Sequence, residues 1–405
     1  MPIANKAHER GVLGTCSAAH FLHDGFSDVL YLLFPIWQAE FSLSLTQVGL
    51  LKGAFSTAMA SSQVPAGFLA ERWGERGLLT AGTAMAALGL GLLGLTDGFT
   101  ELALCLIVLG VGSSVQHPLC SSLVSNAYDG GRRRAALGIY NFAGDLGKFA
   151  FPGLGAVVIA STHWSTATTG LAGIGLMVAV GILVLLMHLG AGGRHDAPDS
   201  GTIPGTMPDG NADWGIRNKG GFFTLSAIGM IDMATRTAFL TFLPFLLIDK
   251  GASVQTLGIA LSLVFAGGAT GKLLCGVLAE RFGIFRVIIL TELLTASGII
   301  LLLLLPLGGC LLLLPVIGVA LNGTSSVLYG TVAEFVTMQR RARAFALFYT
   351  LGTIAGALSP PIYGALSDAA GVPITLAVLS TVLLTTVPLA QILRISLRRN
   401  ESITL

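Results

Sequence analysis

The chain has 405 residues, of which 53% are hydrophobic and 11% charged, with a formal net charge of +2. Soluble domains carry about 25% charged residues, so this composition leaves too little polar surface for a soluble globular fold. The five cysteines (Cys16, Cys105, Cys120, Cys275, Cys310) are odd in number and show no CxxC spacing. That excludes a disulfide framework and leaves them as packing residues.

A membrane-spanning helix needs about 20 largely apolar residues. Polar breaks divide the chain into twelve such stretches, near 12–38, 47–70, 77–96, 101–126, 135–160, 165–189, 221–248, 255–279, 284–305, 308–333, 343–366 and 372–394. The first is interrupted by His20, His23, Asp24 and Asp28 and is followed by no small-residue cleavage site, which excludes a signal peptide. His20, Asp24 and Asp28 recur at i, i+4 and i+8, so they share one face, with His23 beside it. Lys52 sits near the outer end of the second span, where a long side chain snorkels to the interface. The fourth span holds Gln116 and His117 before Pro118, which frees a backbone carbonyl. The fifth holds Asp145 and Lys148 at i,i+3, and the seventh Asp232 and Arg236 at i,i+4. Both spacings allow an ion pair within one helix that holds the helices in register. Lys272 lies in the eighth span. Glu292, near the inner end of the ninth, reads as a snorkelling or packing contact. The apolar run Leu301 to Leu314 is almost continuous, and Pro306, Gly308 and Gly309 mark its turn.

Placing the N-terminus in the cytoplasm puts 18 of the 23 basic residues in inside segments and only Lys250 in an outside loop. Lys52, Lys148, Arg236 and Lys272 fall within spans. This asymmetry is the positive-inside rule, and it predicts both termini in the cytoplasm. The segment Gly190 to Gly220 is rich in Gly, Pro, Asp and Asn without an apolar period, so it reads as a flexible cytoplasmic linker in which His195 is solvated. The chain thus divides into residues 1–189, a six-helix half; 190–220, the linker; and 221–405, a second six-helix half.

Shifting the chain by 209 residues aligns it with itself. Gly67-Phe-Leu-Ala-Glu-Arg-Trp-Gly74 falls on Gly276-Val-Leu-Ala-Glu-Arg-Phe-Gly283. Pro35 falls on Pro244, Arg132 on Arg341, Tyr140 on Tyr349, Pro152 on Pro361 and Gly155 on Gly364. The predicted fold is therefore an all-α membrane protein of twelve helices in two parallel halves, related by an axis along the membrane normal.

That arrangement resembles the major facilitator superfamily, whose substrate site lies between the halves near the midplane. The repeated loop is similar to that superfamily's G-x-x-x-[DE]-R-x-G-[RK]-[RK] signature. Gly67, Glu71, Arg72, Gly74 and Arg76 match it, Glu75 departs from it, and Gly276, Glu280, Arg281 and Gly283 repeat its core. The resemblance implies a tight turn whose acid and Arg latch neighbouring helix ends. In the fifth span Gly138, Gly147, Phe151, Pro152 and Gly155 resemble the antiporter motif of drug–proton exchangers, with Phe151 in place of a Gly. In the fourth span Gly110 and Gly112 are present, but Leu106 and Leu109 stand where such exchangers carry Arg and Gln. The stretches His20-Phe-Leu-His-Asp-Gly-Phe-Ser-Asp28 and Gly110-Val-Gly-Ser-Ser-Val-Gln-His-Pro118 are similar to the fosmidomycin-resistance branch.

These resemblances imply a multi-pass, monomeric transporter of a bacterial inner membrane, working by proton-coupled efflux antiport. The charges of both signs within the spans, Arg236, Lys148 and Lys272 against Asp24, Asp28, Asp145 and Asp232, fit a small polar or zwitterionic organic molecule at least as well as a lipophilic cation. The alternatives are proton symport for import, a metal- or iron-linked role like that of the related magnetosome transporters, and a membrane sensor or assembly factor on the same fold. The superfamily's cavity is lined by helices 1, 4, 7 and 10. Candidate substrate- and proton-binding residues are His20, His23, Asp24, Asp28, Gln116, His117, Asp145, Lys148, Asp232, Arg236 and Lys272. Of these, Asp24 is expected to carry the coupled proton. His20, Asp24 and His117 could ligate a divalent cation, but no HExxH, CxxC or acidic loop supports a metal. With no nucleotide loop, nucleophile elbow or cofactor fingerprint, neither an enzyme nor a cofactor is expected. The expected partners are a small-molecule substrate, protons and the lipid bilayer, not nucleic acid.

Overall fold

The computed structural model describes residues 2–193, 215–337 and 341–404. The helices are α1 (Pro2–Glu40), α2 (Leu45–Trp73), α3 (Glu75–Leu93), α4 (Phe99–Ser113), α5 (Gln116–Ala127), α6 (Gly130–Ser161) and α7 (Trp164–His188) in the first half. The second half holds α8 (Lys219–Asp249), α9 (Val254–Phe282), α10 (Ile284–Leu304), α11 (Leu307–Val332), α12 (Arg341–Ala370), α13 (Val372–Leu384) and α14 (Thr386–Thr404). The pairs α4–α5 and α13–α14 each form one broken span, so the fold has twelve spans in two halves of six. Among the described residues, ten are long and apolar enough to cross a membrane. The other two, α1 and α2, have the length but fall short in apolarity, because they carry His20, His23, Asp24, Asp28 and Lys52. The first helix also starts earlier than its apolar stretch, at Pro2. Residues 194–214 of the expected linker, with His195, lie outside the described residues.

The sequence repeat is a structural one. Ser44 caps α2 by accepting from the Gln47 N–H, and Ser253, 209 residues on, caps α9 by accepting from the Thr256 N–H. Gly74 and Gly283 end those helices with φ of 83° and 87°. Only glycine adopts such angles without strain. Each donates its N–H to the carbonyl four residues back, Ala70 and Ala279. The Arg76 N–H bonds the Gly192 carbonyl at 2.8 Å, so the segment after α7 is fastened to the first of these turns. We call the end of the bundle that carries Gly74 and Gly283 the motif face.

Small residues set the close helix approaches, as expected where lipid offers no hydrophobic drive between helices. Phe151 of α6 fills the notch left by Gly25 of α1, which accounts for its place in the glycine-rich motif. A Cβ at Gly49 of α2 would meet the Pro360 carbonyl of α12, and one at Gly364 of α12 would meet the Leu45 carbonyl. The Asp368 carboxylate of α12 completes that seam, accepting from the backbone N–H groups of Leu45 and Thr46 at 2.8 Å each and from the Thr46 hydroxyl at 2.5 Å. Ser262 of α9 donates to the Phe149 carbonyl of α6 at 2.7 Å.

These cross-half contacts lie towards the face opposite the motif turns. A single apolar core there draws on both halves, with Phe34 and Trp37 packed alongside Phe242 and Leu257. At the motif face the cores are separate: Val12, Leu119, Tyr140 and Leu186 belong to one, Phe222, Val287, Phe335 and Leu393 to the other. The halves are joined at one end and parted at the other.

Candidate functional site

The site is built on α1. Its i, i+4, i+8 stripe faces α6, and glycines let the two helices close up: a Cβ at Gly144 would meet the His20 ring and the Asp24 carboxylate, and one at Gly147 would meet the Phe21 carbonyl. The proximity brings Lys148 of α6 to Asp24, with Nζ 3.3 Å from Oδ2. The fourth span breaks between α4 and α5 at Ser114 and Val115, because Pro118 cannot donate to the carbonyl of Ser114. The break brings His117 to the same carboxylate, with Nε2 3.7 Å from Oδ1.

His20 Nδ1 lies 2.9 Å from the Tyr140 carbonyl. A carbonyl only accepts, so Nδ1 carries a hydrogen. The other nitrogen, Nε2, lies 3.2 Å from Asp24 Oδ2, and both side chains are buried. A neutral imidazole with its hydrogen on Nδ1 and an ionised carboxylate would set two lone pairs against each other. The contact is a hydrogen bond when one further proton is held between them, on His20 or on Asp24. Tyr140 is itself fixed by Gln116, whose Nε2 donates to its hydroxyl at 2.7 Å.

Several expectations are corrected. The i,i+3 and i,i+4 pairs do not close on themselves. Lys148 goes to Asp24, and Asp145 goes to Lys272 of α9 across the halves at 2.5 Å. No ion pair joins Asp232 to Arg236 among the described residues. The Arg236 guanidinium donates to Asn322 Oδ1 at 3.4 Å and lies 2.8 Å from the Met233 sulfur. Asp232 is buried beside Ser325 and Tyr329. His23 turns away from the stripe to α3, its Nε2 bonded to the Thr83 hydroxyl at 3.0 Å. Lys52 does not snorkel; it is 5% exposed and its Nζ lies 4.6 Å from the Tyr31 ring centroid and 5.0 Å from that of Phe55. Of the two readings of Glu292, the packing one fits: it is 1% exposed inside the second half and does not reach the interface.

Asp24, Asp28, Lys52, His117, Lys148 and Arg236 line a cavity of about 260 Å³ between the halves. Asn322, Tyr31 and Phe55 complete the polar and aromatic wall. Neither Asn322 nor the anchoring role of Tyr140 was picked out from the sequence. An amide inside an apolar span was the available signal for the first, and the repeat match to Tyr349 marked the second without giving it a task.

His20, Asp24 and His117 bring ligand atoms within 4.8 Å of one another, a spacing that suits a divalent cation. Lys148 already supplies positive charge to that carboxylate, and a dication would have to displace it. At the motif face, Gly67, Glu71 and Gly74 line a depression of about 290 Å³ with residues of α5. Glu71 and Arg72 are exposed and form no ion pair within 4.0 Å among the described residues, so the expected latch is not engaged in this conformation. Arg281, in the second copy, packs over the Phe282 ring at 5.6 Å.

Two parallel six-span halves around a charged central cavity define a membrane transporter. The Major Facilitator Superfamily model matches residues 16–216 and 225–402, and the chain belongs to that family. It is 34% identical over 150 residues to the fosmidomycin resistance protein of Escherichia coli (strain K12), an alignment that spans 37% of each chain. It is 27% identical over 379 residues to the uncharacterized MFS-type transporter YfnC of Bacillus subtilis (strain 168), covering 90% of this chain and 88% of that one. Among solved structures, a bacterial homolog of the human lysosomal transporter Spinster, in an inward-facing and unoccupied conformation, superposes with a TM-score of 0.79. That match covers 97% of this chain and 98% of the other at 17% identity, and it speaks to the fold.

Proposed function

We propose that this transporter moves a small polar organic molecule by proton-coupled exchange, exporting it across a bacterial inner membrane with the motif face in the cytoplasm. The observation that carries the proton coupling is the His20–Asp24 contact, which needs one shared proton in a buried site facing the cavity. Lys148 holds the same carboxylate, so proton and ammonium compete for Asp24. When Asp24 is protonated, Lys148 is released towards the cavity; when Asp24 ionises, it takes Lys148 back. Such a switch links occupancy of the cavity to proton uptake, and rocking of the halves about their shared end would expose the site alternately. The concentration of basic residues in segments on the motif side supports the orientation. The name of the fosmidomycin-resistance relative supports the export direction.

The cavity lining supports a second reading, import by symport. Lys52, Lys148 and Arg236 outnumber Asp24 and Asp28 there, so a proton and an anion would bind together.

The test uses everted membrane vesicles carrying an imposed pH gradient and a pH-sensitive dye, challenged with polar organic compounds. A compound that dissipates the gradient reports coupled movement. Asp24→Asn keeps the shape and hydrogen bonding but cannot titrate. It is expected to abolish dissipation while the same compound still binds the purified protein. Dissipation at the wild-type rate by Asp24→Asn would overturn the proton reading.

A further inference from the structure

We infer that the molecule bound in the central cavity is a small organic anion, with its acidic group between Lys52 and Arg236 and a hydrogen-bond donor facing Asp28. This rests on the transporter reading above and names the class of substrate for its cavity.

The inference comes from which charges in the wall lack a partner. Lys148 is paired with Asp24. Lys52 is buried, and no carboxylate lies within 4.0 Å of its Nζ among the described residues; what it faces are the rings of Tyr31 and Phe55. Arg236 donates to the Asn322 amide oxygen and lies against the Met233 sulfur; Asp232, one turn away on α8, is within electrostatic reach, but no carboxylate lies within 4.0 Å of the guanidinium among the described residues. A guanidinium offers five N–H donors in a fork that matches a carboxylate or phosphonate bidentately. A buried charge without a counter-charge is costly and marks a functional site in a membrane span. Here Lys52, buried, and Arg236, half-buried, come from opposite halves, α2 and α8, and line one cavity with no carboxylate within 4.0 Å of either among the described residues.

The remaining lone charge is Asp28, within electrostatic reach of Lys52, Lys148 and Arg236. It forms no ion pair within 4.0 Å among the described residues. It suits a hydroxyl or amine of the bound molecule. The lining holds three cations, Lys52, Lys148 and Arg236, against two carboxylates, Asp24 and Asp28, an excess that suits an anion. A lipophilic cation would add to the excess and leave Lys52 and Arg236 unmatched. The volume of about 260 Å³ limits the anion to a small one. An acid bridging Lys52 and Arg236 would also tie the two halves together, so its charge contributes to the equilibrium between their arrangements.

The experiment measures thermal unfolding of the purified full-length protein in detergent with gluconate, glucuronate and phosphonoacetate as anions, choline and glucosamine as cations, and myo-inositol as the neutral control. At least one anion is expected to raise Tm with saturable concentration dependence. Lys52→Gln and Arg236→Gln are each expected to weaken that apparent affinity tenfold or more, and Arg236→Lys to recover part of it. The recovery separates recognition from damage to the fold. Stabilisation by cations or myo-inositol alone, an anion effect that is unchanged in both Gln variants, or no anion effect overturns the inference. Failure of the transport reading is read separately in proteoliposomes. A cation that binds and is carried overturns the anion class and leaves transport standing; an anion that binds but is never carried supports the class and removes transport.

Discussion

Removing the Asp368 carboxylate should shift the protein away from the conformation described here. Asp368 belongs to α12 but caps α2, accepting two backbone N–H bonds at 2.8 Å and one hydroxyl bond at 2.5 Å at the helix N-terminus. A side-chain cap replaced by Ala costs about 0.5–2 kcal/mol, and the negative charge is favoured by the helix dipole at that end. Because donor and acceptor sit on different halves, the loss falls on the joined arrangement and not on either half alone. A change of 1–2 kcal/mol is a factor of roughly 5–30 in the ratio of two states. Spin labels at Thr100 and Gly308, exposed positions at the same end and in different halves, would report the separation in a cysteine-depleted background. Asp368→Ala should populate a longer distance, and Asp368→Asn should fall between it and wild type, since the single amide oxygen can replace only one of the two accepting carboxylate oxygens and the NH2 group cannot accept. Superimposable distance distributions for wild type and Asp368→Ala would refute the reasoning.

Two further outcomes follow from the motif turns and the charge pattern. Arg72→Ala should impair transport more than Arg76→Ala, because Arg72 recurs as Arg281 whereas Phe285 stands at the repeat position of Arg76; equal rates at matched expression would refute the latch. Reporter fusions within residues 190–220 and at the C-terminus should both report cytoplasm, and a periplasmic signal at either place would refute the proposed orientation.

The fold was legible because its signals are long and repeated. Twelve apolar stretches and an offset of 209 residues sufficed, and the offset proved exact enough to align the caps at Ser44 and Ser253 and the turns at Gly74 and Gly283. The α1 stripe was legible too, since helical spacing alone puts His20, Asp24 and Asp28 on one face. The pairing of charges was not. Spacing rules describe an exposed helix, where the nearest partner is a turn away. Inside the bundle the partner is set by which neighbouring helix comes close. Gly144 and Gly147 bring α1 within reach of Lys148, and the α6–α9 seam brings Lys272 to Asp145. Lys52 was misplaced for a related reason. Position along a span says nothing of rotation about it, and Lys52 points inward to Tyr31 and Phe55. His23, one residue from Asp24, is rotated by about 100° from it and meets Thr83.

The uneven joining of the halves has a consequence for how the sequence can vary. At the joined end, α2 and α12 approach so closely that a methyl group at Gly49 or Gly364 runs into main-chain carbonyls, which cannot rotate aside as a side chain can. At the motif end, Gly67 and Gly276 have open space where a Cβ would stand. A saturation library selected for transport would therefore be lopsided. Glycine to alanine should be purged along the α2–α12 seam and tolerated at Gly67 and Gly276 on steric grounds. Any loss at those two positions would then point to a requirement of the other conformation, in which that end closes.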